Sequence, residues 1–181
     1  MRRLVIGLAA VAVVGAVAVV LMRHQPDFVL RLRYPLRYSQ IVRTHAKNYD
    51  LDPSLLAAVI YTESKFNPGA RSGAGAIGLM QLLPDTARGI AVRTGGNAFV
   101  VSDLLVPELN IRYGAWYLRH LLDRYDDERT ALAAYHAGQG NVDRWRRQGV
   151  AIQFPATRSY VAKVERVKEI YARVYANELR S

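Results

Sequence analysis

YTESKFNPGARSGAGAIGLMQLLPDT, Tyr61 to Thr86, opens on an acid, passes through spaced glycines and closes on an apolar patch. The acid, Glu63, follows an apolar run of Leu55, Leu56, Ala57, Ala58, Val59 and Ile60. A carboxyl at the end of an apolar helix loses water, and desolvation raises its pKa. Such a group stays protonated near neutrality and can act as a general acid. Gly69, Gly73, Gly75 and Gly78 then let the backbone turn and approach a ligand closely. Leu79 and Met80 form a short apolar patch carrying one amide, Gln81. The stretch reads as one wall of a substrate cleft with Glu63 at its base. The plainer alternative is a helix-end glutamate that pairs locally, followed by a surface loop.

Outward from this stretch the pattern is almost wholly helical. Leu36, Ile41, Val42 and His45 mark one face of a first helix, where His45 reads as a packed, hydrogen-bonded residue. Asp52 and Pro53 read as N-cap and first position of the helix leading to Glu63. Pro84 starts a short helix that Gly95-Gly96 ends. Beyond Ser102 and Pro107, the residues Leu109, Ile111, Tyr113, Trp116, Tyr117, Leu118, Leu121 and Leu122 predict a buried central helix, its aromatic residues in the core. Ala131–Ala137 predicts an apolar helix stopped by Gly138 and Gly140. Pro155 precedes a last helix with Tyr160, Val161, Val164, Val167, Ile170, Tyr171 and Val174 on one stripe. Val100, Val101 and the glycine-rich loop are the only hints of extended structure.

The 181 residues suffice for one compact domain and a tail. Cysteine is absent, which removes disulfides, thiol chemistry and a lipid-modified cysteine. The four histidines are scattered and none forms a His-x-x-x-His pair, so neither a metal nor a cofactor is expected. Leu4–Met22 is uncharged and long enough to cross a bilayer core of about 30 Å. A cleaved signal peptide is the alternative, but Val19–Met22 continues the run past the small residues Ala16-Val17-Ala18. Residues 1–22 are therefore expected to anchor the chain, 23–38 to form a basic stalk near the headgroups or a plain linker, and 39–181 to form the catalytic domain. The formal charge is +10. It suits a wall or lipid surface bearing carboxylates and phosphates. No nucleic-acid-binding motif accompanies it, so nucleic acid is not an expected partner.

Glu63-Ser64, then Ser72-Gly73-Ala74-Gly75-Ala76, then Gly78-Leu79-Met80-Gln81, resembles in order the catalytic signature of the soluble lytic transglycosylases. Asn110-Ile111 with Gly114 and Tyr117-Leu118 is similar to that family's central helix. Ala133-Ala134-Tyr135-His136-Ala137-Gly138 is similar to its Ala-Tyr-Asn-Ala-Gly element, and Thr157-Arg158 with Tyr160-Val161 to the start of its closing helix. The resemblance spans Pro53 to Val164. It implies a mainly α, lysozyme-like lytic transglycosylase domain, preceded here by the expected single N-terminal transmembrane helix, with the catalytic domain on the extracytoplasmic side.

It further implies that Glu63 protonates the oxygen between N-acetylmuramic acid and N-acetylglucosamine in peptidoglycan, then recovers a proton from the C6 hydroxyl, leaving a 1,6-anhydro end. Ser72 and Gln81 match polar positions lining the cleft. Tyr135 matches a tyrosine near the acid and could also stack on sugar. Met80 would be cleft wall, and His136 stands where the family has asparagine. Ala156 replaces a usual glutamate before Thr-Arg. Most glycosidases need two carboxylates, and the nearest second acid, Asp85, reads as a helix-start residue. Two rivals remain: a goose-type lysozyme in which water attacks, and a catalytically idle wall-binding module of an envelope machine. Protein partners are not legible.

Overall fold

The computed structural model describes residues 25–180; the apolar run Leu4–Met22 lies outside them. Among the described residues no helix is long and apolar enough to cross a membrane. Two units separate, one ending at Pro35 and one beginning at Leu36. The first contains helix α1, Asp27–Arg33, preceded by Pro26. Part of the expected stalk is therefore helical, with Phe28 and Leu32 exposed one turn apart.

The second unit is mainly α, with no strand among the described residues. Its helices are α2 (Ser39–Asn48), α3 (Pro53–Ser64), α4 (Pro84–Thr94), α5 (Pro107–Arg124), α6 (Glu128–Ala137), α7 (Gln139–Arg147), α8 (Pro155–Val174) and α9 (Ala176–Leu179). Four of them start with proline at the first position, where its missing N–H costs nothing and its fixed φ suits the helix. The Asp52 side chain accepts the Ser54 N–H at 2.7 Å, as an N-cap should. Val101 departs from expectation: Val101–Leu105 is a 3₁₀ turn and only Val100 is extended. Leu36 likewise precedes α2 rather than belonging to it.

Helix α3 is buried from Ser54 to Tyr61 without a break. A helix apolar all round belongs inside a core rather than on its surface. It packs most extensively on α8, whose buried stripe runs Tyr160, Val161, Val164, Val167, Tyr171, Val174, and also on α2. Each fully buried Leu, Ile or Val on α3 contributes roughly 1.5–3 kcal/mol, so this pair is the rigid base of the domain. Two non-glycine residues in the left-handed region end α3: Lys65 at φ 52° and Phe66 at φ 61°. Such conformations cost of order 1–3 kcal/mol each. Full burial of Phe66, edge-on to Tyr171 at 6.3 Å, offsets that strain. The abrupt stop leaves Glu63 in the last turn.

Candidate active site

Beyond α3 the chain folds into a glycine-rich loop held by isolated bridges between Arg71 and Ile77 and between Ile77 and Leu82. Ser64 stitches the loop to the helix end, its hydroxyl donating to the Leu79 carbonyl at 2.8 Å. Asn110, fully buried on α5, fixes the far side. Its Oδ1 accepts the Met80 N–H at 2.8 Å, and its Nδ2 donates to the carbonyls of Ile77 and Leu104 at 3.0 and 2.9 Å. Gly78 sits against this amide at φ +83°, where a Cβ would collide with it and with the Leu104 carbonyl. The glycine is required twice over, for its φ and for its missing side chain.

The Glu63 carboxyl is half-buried, and burial lifts its pKa from 4.5 to about 7. The Tyr160 hydroxyl and the Lys163 ammonium oppose that rise. Tyr160 is buried and its hydroxyl closes no hydrogen bond of good geometry, yet it lies near enough to favour the ionised carboxyl. Tyr135 donates its hydroxyl to the Met80 carbonyl at 2.8 Å. Burial first, and then the charge of Glu63, hold both phenols well above their ordinary range, so they act as neutral O–H groups. The groups acting on Glu63 are thus a hydroxyl and an ammonium, and no carboxylate is among them. Asp85 is exposed and paired with Arg88 on its own helix. Among the described residues no cluster of His, Asp and Glu could hold a metal ion.

Gln81, Tyr117, Tyr135 and His136 meet around a cavity of about 200 Å³. Gln81 stands at φ 48° and donates to the carbonyls of Ala70 and Gly78, so its amide braces the loop as well as facing the cavity. His136 joins Thr157 at 3.1 Å through Nδ1 and packs on Tyr160 with ring centroids 4.5 Å apart. Burial pushes its imidazole below the ordinary value, so it is neutral at pH 7. Met80 is fully buried against Gly114 and serves the wall through its backbone. The Ser72 hydroxyl is exposed and accepts the Ala76 N–H at 3.0 Å, closing the loop on itself. His45 is buried and bonded to Glu108 at 2.7 Å. Trp116 and Tyr117 are only half-buried, against the expectation of a core position, because their side of α5 borders the groove.

Sequence reasoning left out Tyr160 as a site residue. Its place on an apolar stripe hides it, although a buried phenol always raises the question of where its hydroxyl points.

The raised carboxyl has a consequence for stability. Between 4.5 and about 7 the folded chain holds a proton that the unfolded chain releases. Stability therefore falls as pH rises through that window and levels off above it, a loss of about 3 kcal/mol. Glu63→Gln is expected to remove this fall and to be the more stable chain by that amount at pH 8. Urea midpoints measured from pH 4.5 to 8 check it, and parallel curves for the two chains would contradict it.

The transglycosylase SLT domain model matches residues 40–153. A transglycosylase of Enterobacteria phage PRD1 is 42% identical over 129 residues, 71% of this chain and 42% of that protein. The soluble lytic murein transglycosylase of Salmonella typhimurium is 35% identical over 152 residues, 75% of this chain and 23% of that protein. Among solved structures, the lytic transglycosylase Slt of Pseudomonas aeruginosa matches with a TM-score of 0.75 at 35% identity, over 83% of this chain and 26% of that one. That structure is of an inactive mutant with glutamine in place of a glutamate. The chain spans less than half the length of these relatives. Its helical unit has their fold, the lysozyme-like arrangement that the sequence resemblance implied.

Proposed function

The chain belongs to the transglycosylase SLT family, and from that premise we propose that it cleaves the β-1,4 bond between N-acetylmuramic acid and N-acetylglucosamine in peptidoglycan. The observation that carries this reading is the Glu63 carboxyl, lifted to about 7 and faced by hydroxyl and ammonium groups rather than a second carboxylate. Protonated, it gives its proton to the bridging oxygen as the C1–O bond breaks. Now a carboxylate, it takes the proton of the C6 hydroxyl of the same muramic sugar as that oxygen bonds to C1. The proton returns to Glu63, no water is consumed, and the product is a 1,6-anhydro end. A two-carboxylate glycosidase would place its second acid to activate water or attack C1; an intramolecular nucleophile needs none. The inactive Pseudomonas mutant supports the reading, since exchange of one glutamate for glutamine accompanies the loss of activity in that relative.

The neutral phenol of Tyr160 offers its hydroxyl to the reacting carboxyl, Tyr135 holds the wall of the site through the Met80 carbonyl, and Lys163 steadies the carboxylate between its two proton transfers. Leu4–Met22 anchors the chain in the membrane, residues 23–38 form the stalk, and 39–181 carry the chemistry outside, where the polymer is. The run of uncharged residues after Arg2 and Arg3 supports the anchor.

Incubating the detergent-solubilised chain with sacculi and weighing the released muropeptides tests the reaction. Products one water lighter than hydrolysis products are expected. Hydrolysed ends would make the chain a lysozyme. Pelleting with sacculi without any release would make it a binding module.

A further inference from the structure

Helix α1, Asp27–Arg33, has two unlike sides. At about 100° per residue, Phe28 and Leu32 stand within about 40° of each other, and Leu30 lies about 160° from both. Leu30 is buried, whereas Phe28 and Leu32 are 67% and 80% exposed. Leu30 therefore marks the inner side of the helix, and two large apolar side chains are left in water on the outer side. Arg31 is exposed on that outer side, about 60° from Phe28, and Arg33 is exposed at its flank. Apolar side chains ringed by arginine are the composition of a helix that lies in a membrane interface.

Chain length brings that partner within reach. Phe28 stands six residues beyond Met22, the end of the apolar run. Extended backbone spans at most about 3.5 Å per residue, so Phe28 lies within about 20 Å of that end. In an anchored chain the bilayer interface is always this close to α1. Two side chains on a short helix hold a bilayer weakly by themselves. Tethering changes this, because a linked site is met at a millimolar effective concentration.

Charge points the same way. From Arg23 to Tyr38 the sequence carries Arg23, Arg31, Arg33 and Arg37 against one acid, Asp27. Arginines just outside a span run against the usual bias, which keeps positive charge on the cytoplasmic side. Anionic lipid gives them a place there, since each basic residue near such a surface strengthens attachment about fivefold.

We propose that α1 is an interfacial helix: Phe28 and Leu32 sink into the headgroup boundary of the membrane, and Arg31 and Arg33 meet the phosphates of anionic lipids. Instead of a free stalk, only the residues between Leu32 and Leu36 then separate the interface from the start of the second unit. This rests on the membrane anchor proposed at Leu4–Met22.

The chain has no cysteine, so one introduced cysteine carries the only thiol label. Full chains with Phe28→Cys, Leu32→Cys, Asp27→Cys or Gln40→Cys are labelled with a polarity-sensitive dye and reconstituted in vesicles of phosphatidylcholine and phosphatidylglycerol. A lipid bearing a nitroxide near its headgroup should quench the labels at 28 and 32 at least about twofold more than those at 27 and 40. Adding Phe28→Ser to the Leu32→Cys chain should bring its quenching down to the level at 40. Adding Arg31→Gln should lower its docked-to-free ratio about fivefold. Equal quenching at all four positions, or the same quenching in phosphatidylcholine alone, overturns the proposal. So does label self-quenching between chains without lipid quenching, which would give this face to a second copy. Alkaline carbonate separates the two readings. Release of the chain from the vesicles overturns the anchor and this proposal with it, whereas a retained chain with unquenched labels overturns the docking of α1 alone.

Discussion

Glu63→Gln is expected to lower the release of soluble products from sacculi by about a thousandfold, the middle of the range for losing a positioned general acid. Glutamine keeps the shape and the half-buried position but has no proton to give the leaving oxygen and no basic oxygen to recover one. Because the loss falls on the chemical step, the variant should still pellet with sacculi as the wild type does. The wild-type rate should carry the mark of the same group. In the proposed mechanism the protonated carboxyl starts the reaction, so the rate is expected to fall as pH rises through about 7. Lys163 favours the ionised form, so Lys163→Met should move that fall to higher pH. Tyr160→Phe should move it the same way, since it removes the hydroxyl that also opposes the rise. A Glu63→Gln chain within tenfold of the wild type would remove Glu63 from the mechanism.

The helical architecture was readable because its signals are local. Proline at the first position of α3, α4, α5 and α8 fixes four helix starts, and Gly95 at φ 76° ends α4 where the glycine pair stands. Glu63 was readable for the same kind of reason, as an acid closing an apolar run. What escaped depends on partners distant in sequence. The arrest of α3 at Lys65 and Phe66 has no glycine to announce it; it is imposed by the pocket that Phe66 fills beside Tyr171. Tyr160 reads as stripe, and only the fold sets its hydroxyl against a carboxyl nearly a hundred residues earlier. Trp116 reads as core by its spacing, but spacing cannot tell a core side of a helix from one bordering a groove. Val101 is β-branched and suggested extended chain, yet the turn is stabilised by Asp103, whose carboxylate accepts the Val100 N–H at 3.0 Å. Asn110 was visible as part of a pattern, with its three partners hidden in other segments.

Those partners make Asn110 the residue whose loss should be most costly to the fold. Asn110→Ala would strand the Met80 N–H and the Leu104 carbonyl, and would leave the Ile77 carbonyl with the Leu82 N–H as its one remaining donor. Each abandoned buried group costs about 1–3 kcal/mol, so a total of about 4 kcal/mol is expected, a large share of the roughly 5–15 kcal/mol that holds a domain together. Asn110→Asp should be no milder. Its carboxylate could still accept the Met80 N–H, but it would face two carbonyl oxygens where the amide donates. The damage should reach the chemistry, because the Met80 carbonyl receives the Tyr135 hydroxyl and Gln81 braces the same loop. Gly78→Ala attacks the contact from its other side, pushing a methyl into the Asn110 amide. Urea unfolding of both single variants and the double variant separates a shared joint from two independent losses. If the amide–glycine contact is one joint, the double variant loses much less than the sum of the singles. Full additivity, or an Asn110→Ala cost under about 1 kcal/mol, the level of a single ordinary hydrogen bond, would mean that the loop is held without it.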